Sequence, residues 1–247
     1  MSAGPAVIHL EEVGSTNTYL KEHPELLLRH GQVVRTERQT QGRGRMGRTY
    51  ISLHGKNLTF SVVLHVEAPP FQAPSWSLWV GVAIARVVER HCSAEVRLKW
   101  PNDILLNRRK VCGILIEAVP GVRPSGTVLI AGIGLNCQGR VSEFPVELQD
   151  KVTTLQEHAS REILKEDLFQ EILSELNRIS SDLSTQGKAF LEEEWLRRSG
   201  MLGRDIHFEQ GGQVSSGRVL GLTEEGFLRI LNAQGAEQIH ASGDVWE

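Results

Sequence analysis

Val96-Arg97-Leu98-Lys99-Trp100-Pro101-Asn102-Asp103-Ile104-Leu105-Leu106 and Lys110-Val111-Cys112-Gly113-Ile114-Leu115-Ile116-Glu117-Ala118-Val119 are two strand-like runs, rich in branched apolar residues. Asn107-Arg108-Arg109 between them reads as a hairpin turn. Outward from this pair, Thr127 to Asn136 is a further strand, punctuated by Gly132 and Gly134. Leu58 to Val66 is another, and Val7 to Leu10 and Gln32 to Thr36 are shorter candidates. Pro74 to His91 has helical spacing, with Trp79, Val82, Ala83 and Val87 on one stripe. Ser15-Thr16-Asn17 offers capping side chains for a helix through Leu20, which Pro24 interrupts. Asp167 to Leu183 and Gly187 to Arg198 read as two more helices.

Strands interrupted by helices, then consecutive hairpins, predict an α+β fold with a mixed or mainly antiparallel sheet. After Gly200-Met201-Leu202-Gly203 the texture changes. Asp205 to Glu209, Gln213 to Leu222, Gly226 to Leu231 and Glu237 to Ala241 are short strands between glycine turns, as in a small β-barrel. The expected division is therefore residues 1–200 and 201–247.

Composition narrows the class. With 247 residues, 40% hydrophobic and 23% charged, the chain reads as soluble and globular. The net charge is -3, and from residue 200 onward seven acidic residues face three arginines. Dedicated DNA-binding proteins usually carry a basic excess, so none is expected here. The three cysteines lie far apart with no zinc spacing, which fits a reduced cytoplasmic setting. The stretch from Trp76 to Val88 is broken by Ser77 and Arg86 and is too short to span a bilayer, and no signal peptide opens the chain.

Gly42-Arg43-Gly44-Arg45-Met46-Gly47 matches the dinucleotide pattern GxGxxG letter for letter. That pattern needs a helix directly after it, and Arg48-Thr49-Tyr50-Ile51 has no helical period. A P-loop fails on the same ground, with Arg48 at its lysine position. The chemistry that survives is three arginines among glycines, able to wrap an anion. Arginine forks suit carboxylate or phosphate, and glycine lets backbone approach closely. A solvated loop or a strand-binding segment would read the same way.

Four blocks in order change this. Ser15-Thr16-Asn17, the Gly42–Arg48 loop, Lys99-Trp100-Pro101-Asn102-Asp103 followed by Lys110-Val111-Cys112-Gly113-Ile114-Leu115, and Gly132-Ile133-Gly134-Leu135-Asn136 together resemble the biotin protein ligase family. The resemblance covers most of residues 7 to 140 and extends more weakly to the end. It implies a class II synthetase-like catalytic domain with a mixed sheet, plus a C-terminal SH3-like barrel. It also implies that biotin is activated by ATP and Mg2+ to biotinyl-5'-AMP and passed to a lysine of a biotin carboxyl carrier protein. Ser15, Thr16, Asn17 and Gln39 would hold the ureido ring, while Arg43 and Arg45, set between Gly42 and Gly44, would close over biotin and its adenylate. Lys110 would reach the carboxylate and α-phosphate. Asn102 and Asp103 would lie at the nucleotide and acceptor amine, with Asp103 orienting that amine. Gly113, Ile114, Gly132 and Gly134 would leave room for the ligand, Tyr50 would offer an aromatic platform, and Asn136 would make a polar nucleotide contact. No residue is assigned to a metal.

The sequence departs from the family pattern at Met46, Tyr50 and Cys112, none of which removes a group the chemistry needs. Some relatives carry a winged helix before the catalytic domain. Here the first strand starts near Ala6, so a ligase without DNA binding is expected, and a homodimer through the catalytic sheet is compatible with the family. A lipoate–protein ligase of related fold is the nearest alternative, and a nucleic-acid-binding module the alternative of another class.

Overall fold

The computed structural model describes residues 6–67, 73–210 and 212–246. A seven-stranded sheet forms from β1 (Val7–Val13), β2 (Val33–Gln39), β3 (Leu58–Val66), β4 (Val96–Lys99), β5 (Asp103–Leu106), β6 (Arg109–Val119) and β7 (Thr127–Leu135). Their order is β1-β2-β3-β7-β6-β5-β4; β1 and β2 run parallel and every other pair is antiparallel. The mixed sheet expected from the sequence is therefore present.

Alternation along the central strands explains where the cleft lies. In β3, Phe60, Val62 and Leu64 enter the main core, as do Leu129, Ala131, Ile133 and Leu135 of β7 and Ile114 and Ile116 of β6. Helices α3 (Ala73–His91), α5 (Lys165–Thr185) and α6 (Lys188–Ser199) contribute to that core. Leu168, Phe169, Ile172, Leu173, Leu176 and Ile179 form the buried stripe of α5, spaced as a 3.6-residue period requires. Each such side chain contributes roughly 1.5–3 kcal/mol by burial.

Val63, Val128 and Ile130 point to the opposite face, where Leu20 of α1 (Thr16–Glu22) and Leu27 of α2 (Pro24–Leu27) cover them. Farther along these strands the same face carries Thr59, Ser61, Gly132, Gly134, Gly113, Leu115 and Glu117, which are mostly small or polar. An apolar lid has little to pack on there, and an open cleft results.

Several local expectations change. The predicted strand Val96–Leu106 is two strands, because Trp100-Pro101-Asn102 is itself a turn. Asn107 and Arg108, with φ of 46° and 69°, make the next turn, and Arg109 already belongs to β6. Two consecutive left-handed residues suit the right-handed twist of a two-residue hairpin. Ser15 stands at the start of α1, but its side chain makes no capping bond. The strand expected over Gln32 to Thr36 runs farther, since β2 continues to Gln39.

Gly200 ends α6 in a left-handed conformation, φ 63°, which glycine adopts without steric cost. Beyond it β8 (Asp205–Gln210), β9 (Gln213–Leu222), β10 (Leu228–Asn232), β11 (Glu237–His240) and β12 (Asp244–Trp246) pair antiparallel in the order β11-β10-β9-β8-β12. Strand β12 was not foreseen; its three residues are too few to show a period. Strands β8 to β12 form the small antiparallel C-terminal β domain expected from the sequence; among the described residues no ladder joins β11 to β12. Ile206, Phe208, Val219 and Ile230 share one core with the seven-stranded sheet. Trp100, 2% exposed, donates its indole N–H to the Gly226 carbonyl at 3.1 Å.

Candidate active site

The cleft opens over the bare half of the large sheet. Its lining includes Ser15, Thr16, Asn17, Gln39, Arg43, Gly44, Arg45, Tyr50, Asn102, Asp103, Lys110, Gly113, Ile114, Gly132 and Gly134. These come from four separate blocks of sequence. Two of the expected residues, Gly42 and Asn136, stand outside the lining.

At the inner side, a polar cluster is already paired. The Gln39 Oε1 accepts the Thr16 N–H at 2.9 Å and its hydroxyl at 3.2 Å. Ser61 lies within 2.6 Å of both Thr16 Oγ1 and Asn17 Oδ1. Asn17 Nδ2 donates to Glu117 Oε2 at 2.9 Å. A Cβ added at Gly132 would lie 2.4 Å from Asn17 Oδ1, so a glycine is needed for this amide to settle on the strand. Burial alone would raise the Glu117 carboxyl, but Lys21 and Asn17 bond to it, and with Arg43 nearby they hold it below the usual carboxylate range. The Lys21 amine is 2.6 Å from Glu117 Oε1, and Arg43 Nη2 is 3.3 Å from the same oxygen.

The glycine-arginine loop folds back on itself. Tyr50 N–H donates to Gly42 O at 2.9 Å and Gly44 N–H to Arg48 O at 2.7 Å, with a short 3-10 turn over Arg45–Gly47. A side chain at Gly42 would strike the Tyr50 carbonyl at 2.3 Å. Gly42 therefore shapes the loop and does not face the cleft. Arg45 lies 3.5 Å from Asn102 Oδ1, and burial lowers the pKa of its guanidinium, with Asp244 and Asp103 opposing that shift.

Tyr50 lies against the paired glycines Gly113 and Gly134 of neighbouring strands. Its hydroxyl donates to Asn136 Oδ1 at 3.4 Å, and burial pushes the phenol well above its usual range. Asn136, 4% exposed, also accepts from Asn57 at 2.8 Å and donates to Thr153 O at 3.0 Å. It stands behind the aromatic ring as a brace. Asn102 bonds twice to Ile114 backbone, through its amide at 2.7 Å and its carbonyl at 3.0 Å. Lys110 and Asp103 meet at 2.7 Å. None of the cysteines is disulfide-bonded; Cys112 and Cys137 are buried, and burial pushes the Cys137 thiol up to about 12.

Sequence reasoning missed Ser61, Asn57, Lys99, Asp244 and the structural part of Glu117. Ser61 left a signal: a hydroxyl in the middle of a fully buried strand needs a partner. Asp244 left none, being 196 positions from its partner Arg48.

The descriptions of known proteins agree with this geometry. Residues 10–136 match the family model for biotin/lipoate A/B protein ligases, and residues 201–246 match the model for the biotin protein ligase C terminal domain. The chain belongs to the biotin/lipoate A/B protein ligase family. It is 30% identical over 216 residues to the biotin–[acetyl-CoA-carboxylase] ligase of Paracoccus denitrificans, covering 86% of this chain and 89% of that one. It is also 30% identical over 242 residues to the bifunctional ligase/repressor BirA of Escherichia coli, covering 98% of this chain and 74% of that protein. The biotin protein ligase of Aquifex aeolicus, solved in complex with biotin and ATP, superposes with a TM-score of 0.80 at 27% identity. That match covers 98% of this chain and 97% of that one.

Proposed function

We propose that this chain is a biotin–protein ligase that couples biotin to a lysine of a biotin carboxyl carrier protein at the expense of ATP. The observation that carries the proposal is one cleft lined by both a neutral hydrogen-bonding socket, Thr16, Asn17 and Gln39, and a cationic set, Arg43, Arg45 and Lys110. A ureido ring offers donors and acceptors to the first, and a carboxylate and phosphates suit the second. Relatives named as biotin ligases support the choice of acyl substrate.

In the first step a biotin carboxylate oxygen attacks the α-phosphorus of ATP, the bond to the β-phosphate breaks, and pyrophosphate leaves. Lys110, Arg43 and Arg45 offset the charge that builds at phosphorus. In the second, the carrier amine attacks the acyl carbon, loses its proton and expels AMP. Asp103 orients that amine and accepts the proton. Among the described residues no group of three His, Cys, Asp or Glu is arranged to hold a metal. Mg2+ arriving with the nucleotide would neutralise phosphate charge beside Lys110, Arg43 and Arg45.

The catalytic part is assigned to residues 1–200 and the C-terminal part to 201–247, a division supported by two sheets that share no strand. The protein works in the cytoplasm and binds no DNA sequence-specifically, and a homodimer, where one forms, pairs through the catalytic sheet. The net charge of -3 supports the second point, and among the described residues no helix is long and apolar enough to cross a membrane. Biotin-dependent exchange of labelled pyrophosphate into ATP is the decisive assay. Exchange that follows lipoate in preference to biotin would replace this reading with the lipoate one. A shifted promoter fragment in a mobility assay would refute the DNA claim, and sedimentation of a monomer at working concentration the dimer.

A further inference from the structure

The C-terminal sheet reaches the cleft through the turn into β12, where Gly243 and Asp244 join the lining. The pairing of Asp244 with Glu209 fixes that turn on β8. Both carboxylate oxygens of Asp244 accept from Arg48, Oδ1 from Nη1 at 3.1 Å and Oδ2 from Nη2. This is the two-pronged geometry that makes arginine–carboxylate pairs directional. Arg48 sits at the base of the loop, where its carbonyl accepts from Gly44 and its N–H donates to the Arg45 carbonyl at 3.1 Å. Whatever holds Arg48 therefore holds the turn that carries Arg45.

Apart from Tyr50 at its end, whose ring rests on Gly113 and Gly134, the loop has little apolar purchase of its own. Met46 is 67% exposed and Ile51 40%. Its arginine fastenings are Arg43 to Glu117, Arg45 to Asn102, and Arg48 to Asp244. The first two partners belong to the large sheet and its turns; the third comes from the other sheet. The remaining charges around the pair are Lys99 and Arg45, which act on Asp244, and Glu209 and Asp103, which act on Arg48.

We infer that Asp244 is a positioning residue that, by gripping Arg48, clasps the Gly42–Tyr50 loop over the cleft and makes the C-terminal sheet the anchor of that loop. The effect on ligand retention rests on the ligase reading given above; the clasp itself does not. Both partners are substantially exposed, 62% for Arg48 and 40% for Asp244, so the effect is modest and sensitive to salt.

The test has two arms, using the full chain as wild type, Asp244→Asn and Asp244→Glu, each checked for folding by its thermal transition. In the first arm, without ligand, trypsin is used to nick the loop after Arg43, Arg45 or Arg48. The Asn variant is expected to be cut about two- to fivefold faster at low salt, the Glu variant near the wild-type rate, and the gap should close toward about 1 M salt. In the second arm, biotinyl-adenylate is formed in place and its release is timed, with the same two- to fivefold gain for the Asn variant. Arg48→Gln breaks the pair from the loop side, and combining it with Asp244→Asn should add nothing further. Equal nicking of wild type and Asn variant at low salt would overturn the clasp, whatever the ligase assay gives. Slower release from the Asn variant would overturn it too, since Asp244 would then be competing with ligand for Arg48. If wild type makes no adenylate from biotin and ATP, the functional reading fails, and the trypsin arm still judges the clasp.

Discussion

The Lys110 amine lies 2.7 Å from the Asp103 carboxylate, on facing strands of the β5–β6 hairpin, and both side chains line the cleft. The carboxylate fixes the amine at the mouth while leaving its other protons for an incoming anion. A cation so placed stabilises charge that grows during reaction more than charge already present.

Replacing Lys110 with alanine is accordingly expected to slow adenylation by about a hundredfold or more, the scale of one lost electrostatic donor. Biotin-dependent pyrophosphate release measures it. An unchanged rate would remove Lys110 from the chemistry.

Gly132→Ala tests the polar socket without touching a charge. The new methyl would meet Asn17 Oδ1 at 2.4 Å, and Asn17 is held by Ser61 and Glu117. Moving it breaks hydrogen bonds of roughly 1 kcal/mol each. The KM for biotin should rise by about tenfold, equivalent to about 1.4 kcal/mol, with the KM for ATP little changed. Wild-type biotin kinetics in this variant would show that Asn17 does not hold the ureido ring.

Arg45→Gly separates making the intermediate from keeping it. Arg45 reaches Asn102 across the cleft mouth, half-buried, with Asp244 and Asp103 near its guanidinium. Losing one charge-assisted bond, roughly 1.5–3 kcal/mol, should speed adenylate escape about ten- to a hundredfold. Escaped adenylate labels lysines on bystander proteins, which a blot with an unrelated protein beside the carrier would record. Labelling at the wild-type level, with adenylate still made, would deny Arg45 this role.

Glu117 gives a prediction in pH. Lys21, Asn17 and Arg43 outweigh burial and depress its carboxyl. Such a group stabilises the fold fully above its ordinary value and loses that contribution as pH falls through the depressed one. Glu117→Gln should therefore melt below wild type at neutral pH, and the two curves should converge on acidification below the ordinary carboxylate range. A gap that widened in acid would contradict the assignment.

The large sheet was legible in the sequence because its strands are long and their apolar residues alternate or run together, as in Leu58–Val66 and Thr127–Leu135. The four blocks that meet in the cleft were legible as motifs, and Lys110, Asp103, Arg45 and Gly132 all line it. What escaped depends on three-dimensional pairing. Trp100-Pro101-Asn102 looked like the middle of a strand because its neighbours are strand-forming on both sides. Gly42 shapes the loop and Asn136 braces the Tyr50 ring, contacts that the motifs by themselves do not display. Asp244 lies in a three-residue strand whose partner is far upstream, and no local pattern could announce it.

Gly113 and Gly134 stand side by side on β6 and β7, and the Tyr50 ring rests on the strip of backbone they leave bare. The ring already covers much of that strip. A planar ligand ring that took the place of Tyr50 would exchange one covered face for another and dehydrate little new apolar surface. Calorimetry of such a ligand should then record a heat-capacity change much smaller than its own ring area would suggest, because the sign and size of that quantity follow the net apolar surface removed from water.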